Sequence, residues 1–258
     1  MSAAASEARP LSGKRIALTR PRDQAGTFAS QVSALGGSPL VLPAIQVVPP
    51  DSYDALDAAL SHLDAFDWLV CTSVNAVRVV RERASVVGLS IAESRTRIAA
   101  VGRATASELA RGVRMPDFVS SGVGAEQLAA DLPNVAGKRV LFPHARDARA
   151  ELPAVLRTRG ARVDECVAYD TRRGDGVDEL ARLWKAGEID AVLFASPSAV
   201  KFVHEAVGSG RSPAVFCIGD TTRAAAESLG WRVAGIPPRA TQPELLHFVA
   251  TWFAPGDR

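Results

Sequence analysis

Gly13-Lys14-Arg15-Ile16-Ala17-Leu18 returns later in the chain as Gly137-Lys138-Arg139-Val140-Leu141-Phe142. In the same register Arg22-Asp23 matches Arg146-Asp147 and Gly36 matches Gly160. A second block, Asp67-Trp68-Leu69-Val70-Cys71-Thr72-Ser73-Val74-Asn75-Ala76-Val77, recurs one residue out of that register. Its copy is Asp190-Ala191-Val192-Leu193-Phe194-Ala195-Ser196-Pro197-Ser198-Ala199-Val200. A third pairs Ala100-Val101-Gly102-Arg103-Ala104-Thr105 with Cys217-Ile218-Gly219-Asp220-Thr221-Thr222, after a deletion in the intervening loop. A repeat near half the length fixes the architecture before any motif is weighed: each half carries the same three units in the same order.

Each unit is a short apolar strand, a Ser/Thr/Asn/Gly turn and a helical pattern closed by glycine. Runs such as Trp68 to Cys71 and Ala191 to Phe194 are apolar throughout, which marks strands buried on both faces in a parallel sheet between helices. The expected fold is α/β, with two doubly wound parallel-sheet lobes of Rossmann/flavodoxin type. Leu40 to Pro49 and Asp164 to Thr171 are extended, rich in Val and free of helix signals, and are the candidate connection between the lobes.

With 258 residues, 47% hydrophobic and 22% charged, the composition is that of an ordinary globular protein. A net charge of +2, without a run of five like charges, argues against nucleic-acid or membrane-surface partners. Cys71, Cys166 and Cys217 form no C-x-x-C pair, so a reducing cytosol is expected and neither a disulfide framework nor a zinc site is. Residues 1–12 lack an apolar core of the signal-peptide kind and read as a flexible tail.

In open parallel sheets, ligands sit beyond the carboxyl ends of the strands, where helix N-termini present free N–H groups. That rule selects Thr72-Ser73 with Asn75, Gly102 to Thr105, Ser120-Ser121-Gly122, Ser196-Pro197-Ser198, and Gly219 with Thr221 and Thr222. Any one of them can be plain helix capping. Five such turns on one edge would line a cleft with neutral donors suited to carboxylates or phosphates. Arg20 and Arg22, with Arg146 and Arg149 at the duplicate position, are candidate carboxylate forks, and solvated surface arginines are the competing reading. Tyr169, one of two tyrosines, lies in a strand of the candidate connection, where its phenol would face the gap between lobes; a packed hinge aromatic is the alternative.

Gly122-Val123-Gly124 lacks the third glycine of a dinucleotide fingerprint, no phosphate-binding loop precedes either Gly-Lys pair, and His62, His144, His204 and His247 have no metal spacing. No G-x-S-x-G elbow is present; His144 alone among the histidines is kept as a residue at the cleft edge. No cofactor and no metal are expected.

Leu18-Thr19-Arg20-Pro21, the block Cys71 to Val77, Phe142-Pro143 followed by Arg149 and Leu152-Pro153, Ala168-Tyr169-Asp170-Thr171, Ser196-Pro197-Ser198, and Ile218 to Thr222 together resemble the uroporphyrinogen-III synthase family. The resemblance spans roughly residues 13 to 250. It implies lobes discontinuous in sequence: 13–43 with 172–256, and 49–163, joined by a two-stranded β connection of 44–48 and 164–171. It places Tyr169, Ser73, Ser196, Ser198, Thr221 and Thr222 in the active cleft and matches Arg149 to a recurrent basic residue. Ala104 stands where the second half has Thr221, and receives no role. The implied activity is that of a cytoplasmic, monomeric, cofactor-free hydro-lyase of haem biosynthesis, which closes the linear tetrapyrrole hydroxymethylbilane into a ring while inverting its last pyrrole. Tyr169 is the candidate proton donor in this reading. A two-lobed anion-binding sensor without catalysis is the competing class; a receiver-like protein would want clustered acids where Thr19-Arg20-Pro21-Arg22 stands.

Overall fold

The computed structural model describes residues 9–120, 124–208 and 212–254. In chain order the strands are β1 (Arg15–Leu18), β2 (Ser38–Val41), β3 (Ile45–Val48), β4 (Trp68–Cys71), β5 (Arg97–Val101), β6 (Phe118–Ser120), β7 (Arg139–Ala145), β8 (Arg162–Arg173), β9 (Ala191–Phe194), β10 (Ala214–Cys217) and β11 (Val233–Gly235). The helices are α1 (Arg22–Ala34), α2 (Asp54–Ser61), α3 (Val74–Val86), α4 (Gly102–Gly112), α5 (Ala125–Asp131), α6 (Glu151–Thr158), α7 (Val177–Lys185), α8 (Pro197–Val207), α9 (Asp220–Ser228) and α10 (Gln242–Phe253).

The chain divides into unit 1, Met1–Gln46 with Arg172–Arg258, and unit 2, Val47–Thr171. One sheet runs β11-β10-β9-β1-β2 and the other β3-β8-β7-β4-β5-β6. In the first, β1 is parallel to β2 and β9, and β10 to β9 and β11. In the second, β4 is parallel to β5 and β7, β5 to β6, and β7 to β8. The first copy of the Gly-Lys-Arg segment thus lies beside the second copy of the Asp-led block, as β1 on β9. The second copy lies beside the first block, as β7 on β4. The duplicated pieces are exchanged reciprocally.

Strand periodicity divides each core between two faces. In unit 1, Ala17, Val192 and Val215 pack with Val177, Leu180, Ala199, Val203 and Ala226 of α7 to α9. The opposite-facing Ile16, Leu18, Leu193 and Phe216 meet Phe28 and Val32 of α1 and Leu245 and Val249 of α10. In unit 2, Leu69, Cys71, Ile98 and Leu141 face α2 to α4, while Trp68, Val70, Ala99 and Phe142 face α5 and α6. Central strands β4 and β9 are buried at every residue, the reason for their unbroken apolar sequence. Truncating one such aromatic, Phe194 against Trp231 (ring centroids 5.5 Å apart) for instance, costs about 3–5 kcal/mol.

The duplication extends to backbone detail. Gly36 and Gly160 close α1 and α6 with φ of +85° and +84°, in the left-handed region where a Cβ is disfavoured. Ser73 and Ser196 cap α3 and α8 at φ, ψ of −150°, 155° and −155°, 153°.

Two expectations change. Leu11 is fully buried against the α1 side of unit 1, and its N–H donates to the Leu35 carbonyl (3.0 Å). The end of the supposed tail is therefore anchored, because a leucine set before β1 gains more from the core than a polar tail residue would; residues 1–8 lie outside the described residues. The Ser/Thr/Gly turns, moreover, do not share one edge. Exchange of the repeats sends those after β4 and β5 to one sheet and those after β9 and β10 to the other.

Candidate active site

Both sheets have the strand order in which the chain winds outward in opposite directions from two adjacent strands, β1 and β9 in unit 1, β7 and β4 in unit 2. Such a switch point leaves a crevice at the carboxyl ends. In unit 2 that position is framed by Ser73 after β4, Arg146 to Arg149 after β7, and Tyr169 on the neighbouring β8. In unit 1 it is framed by Arg20 after β1 and Ser196 after β9.

Tyr169 reaches its place through an irregularity. Register slips between His144 and Ala145, so that His144 pairs with Val167 but Ala145 with Tyr169. The slip leaves Ala168 and Tyr169, adjacent in sequence, both buried and both in the cluster of Leu69, Cys71 and Leu141. A bulge of this kind re-aims a side chain that strict alternation would send elsewhere. The Tyr169 hydroxyl lies 3.0 Å from Ser73 Oγ, which itself accepts the Ala76 N–H at 3.0 Å. Asn75 hydrogen-bonds the same phenol. Burial raises the phenol's pKa and the Asp147 carboxylate adds to this, against the opposing hydrogen bonds of Ser73 and Asn75. The group is held as a neutral O–H donor.

In unit 1 the same cap recurs without the phenol: Ser196 Oγ accepts the Ala199 N–H at 3.2 Å. Ser198 stands half-buried in the first turn of α8, at the place Asn75 takes in α3. Gly219 caps α9 in extended conformation and Thr221 is exposed behind it. Thr105 and Thr222, equivalent across the repeat, are 4% and 3% exposed; the structure makes them interior residues of α4 and α9 and not surface donors. Gly102 opens α4 with φ +69° and no side chain of its own. Ser121 lies outside the described residues.

The four candidate arginines separate. Arg146 is engaged by Asp51 (2.7 Å) and Asp170 (3.4 Å), and Arg22 by Asp175 (3.5 Å). Arg20, half-buried, donates to Gln24 at 3.2 Å and lies against the Gln242 amide. Arg149 is exposed and has no ion-pair partner among the described residues, so its fork is open to a carboxylate. The His144 Nδ1–H donates to the Ala145 carbonyl (2.7 Å) and the ring stacks on Phe142, which makes it part of the strand end. The three cysteines are free and buried. Burial pushes Cys71 and Cys217 up to about 12 and Cys166 up to about 11, so none is a ready thiolate.

Asp147 and the pairing of Ser73 and Asn75 with the phenol were missed at the level of sequence. Asp147 was visible as half of the repeated Arg-Asp pair, but nothing linear ties it to Tyr169. A hollow of about 470 Å³ lined by Trp184, Lys185, Asp190 and Trp252, among others, lies at the amino ends of the unit 1 strands, opposite these turns. No described group of His, Cys, Asp and Glu has the makings of a metal site.

The profile of the family described as uroporphyrinogen-III synthase HemD matches residues 26–247. The chain belongs to the uroporphyrinogen-III synthase family. It is 33% identical over 195 residues to a uroporphyrinogen-III synthase of Synechococcus elongatus, covering 74% of each chain. With one of Chlorobaculum parvum it shares 25% identity over 246 residues, 92% of this chain and 98% of that one. A crystal structure of a mutant uroporphyrinogen III synthase from Thermus thermophilus superposes with a TM-score of 0.66 at 20% identity, over 93% of this chain and 99% of the other. The synthase fold, two doubly wound lobes built on two mainly parallel sheets, is the fold of this chain. No helix among the described residues is long and apolar enough to cross a membrane.

Proposed function

We propose that this chain is a hydro-lyase that cyclises hydroxymethylbilane to uroporphyrinogen III. Membership of the synthase family along residues 26–247 is the observation that carries the reading; it does not favour a non-catalytic anion sensor.

The chemistry suits the residues. Hydroxymethylbilane closes by itself to the uninverted ring, so the protein has to steer the reaction. The pyrrole nitrogen lone pair expels the hydroxyl from the hydroxymethyl carbon, and the departing oxygen takes up a proton. The resulting cation is attacked by the substituted carbon of the last pyrrole, giving a spiro intermediate that fragments and recloses at that ring's other α-carbon, which then loses its proton to leave the neutral, reversed pyrrole and balance the proton given to the departing hydroxyl. Tyr169, a phenol kept neutral by burial and by Asp147, supplies the proton. Arg149 and Arg20, the hydroxyls of Ser196 and Ser198, Thr221, and the free N–H groups at the starts of α4 and α9 after Gly102 and Gly219 hold the substrate carboxylates. Positioning supplies most of the gain, because the uncatalysed closure is already facile. We place the reaction in the cytoplasm with the chain acting as a monomer, in keeping with its three free thiols.

Purified protein incubated with freshly prepared hydroxymethylbilane, followed by chromatographic separation of the two uroporphyrinogen isomers, tests the assignment. Isomer III in excess over the blank is expected. Isomer I at the blank's rate and proportion would refute it.

A further inference from the structure

We propose that Ser73 is a positioning residue that directs the Tyr169 hydroxyl proton outward, to the substrate. The inference rests on the reading of Tyr169 as the proton donor and adds what makes that donor point the right way. A phenol oxygen carries one proton and accepts through its lone pairs. Ser73 Oγ, 3.0 Å away, takes the Ala76 N–H of the α3 N-terminus as acceptor. That bond uses one of the serine oxygen's two acceptor positions and, at the positive end of a helix, makes its O–H a stronger donor. The Ser73 proton then goes to Tyr169 Oη. The Asn75 amide, in the first turn of the same helix, acts on the same phenol. With Ser73 donating to Oη and Asn75 set against the same phenol from α3, the phenolic proton turns to the outward side.

The repeat contains its own comparison. Ser196 caps α8 with the same backbone angles and the same bond to the third residue on. In the register that places Gly13 on Gly137, however, Ile45 stands where Tyr169 stands. The unit 1 serine therefore meets no phenol at that position, and its O–H serves the substrate directly. One duplicated cap orients an acid and the other binds.

The test follows Tyr169 without substrate, by the 13Cζ resonance of labelled tyrosine at neutral pH in a Tyr53→Phe background, where Tyr169 is the remaining tyrosine. Turnover is measured alongside. Ser73→Ala is expected to move the resonance and lower kcat by about tenfold or more with KM held within about twofold; Ser73→Thr, which keeps hydroxyl and cap, restores both. Asn75→Ala leaves the cap in place and moves the resonance in the same sense, so the proposal remains testable if Ser73→Ala does not fold. Ser196→Ala leaves the resonance unchanged and raises KM. A Ser73→Ala protein that is less stable but has the wild-type resonance and kcat, or a Ser73→Thr protein that restores neither, would overturn the positioning role. Failure of the wild-type protein to form isomer III would instead defeat the functional assignment, whatever the resonance does.

Discussion

Lys14 and Asp190, 176 positions apart in sequence, form an ion pair at 3.3 Å, and the same carboxylate accepts the Arg15 N–H at 2.9 Å. Unit 2 repeats the arrangement with Lys138 on Asp67 at 2.9 Å and the Arg139 N–H on Asp67 at 2.9 Å. In each unit the aspartate that opens one block fastens the Gly-Lys-Arg segment of the other half. The charge pair travelled with the duplication and now ties exchanged pieces together.

The Asp67 carboxyl is held below its ordinary value by the Arg139 backbone N–H and then by Lys138. Its folded pKa being the lower one, its contribution to stability is complete above the ordinary carboxylate range and is lost as pH falls through the depressed folded value. Asp67→Asn, which can still accept from Arg139, is expected to unfold at lower urea than wild type at pH 7. The gap between the two should close on acidification, and a gap independent of pH would count against the charge as its source.

Tyr169→Phe is expected to slow turnover by about a hundredfold, the lower end of what a general acid supplies, while isomer III stays the main product. Product analysis separates the roles: a switch to isomer I would mean that Tyr169 steers ring closure and does not protonate the leaving oxygen.

Removing the α8 cap with Ser196→Ala leaves the Ala199 N–H without its side-chain acceptor. A loss of about 1 kcal/mol is expected in denaturant unfolding, and Ser196→Thr or Ser196→Asp should recover most of it. Equal losses for all three variants would show that the hydroxyl is not acting as a cap.

Gly174 and Gly176 donate their N–H groups to the Ala44 and Pro43 carbonyls, both at 3.0 Å. A Cβ on Gly176 would strike the Leu42 and Pro43 backbone, which has no flexible end to move aside. Gly176→Ala is expected to destabilise by about 1–3 kcal/mol; a circular-dichroism melt indistinguishable from wild type would show that this approach relaxes easily.

Much of this molecule was legible in the sequence because it is written twice. Repeated apolar runs identified β4 and β9, and the serines after them marked two caps with matching backbone angles and cap bonds. Which copy of β1 lies beside which copy of β4 was another matter: both pairings satisfy the same periodicity, and family resemblance was needed to choose the exchanged one. The arginines were beyond reach for a different reason. Arg146 and Arg149 have the same local sequence signal, and only the folded positions of Asp51 and Asp170 show that one is engaged. Thr105 and Thr222 read as donors because turn chemistry is local, whereas their burial is decided by helix packing. Tyr169 was singled out for its rarity, yet the bulge that turns it toward Ser73 leaves no pattern in a strand of mostly apolar residues.

Unit 2 is one unbroken stretch, and unit 1 is assembled from both sides of it. On the ribosome, β1, α1 and β2 therefore emerge ahead of unit 2, with Ile16 and Leu18 still lacking Ala191 and Leu193, their neighbours on β9, until all of Val47–Thr171 has been made. The inserted body has every strand it needs and can fold during translation, while the leading segment waits with an uncovered apolar edge. Of the two units, the one completed later is thus the one begun earlier, and the nascent chain is most prone to mispairing during that interval.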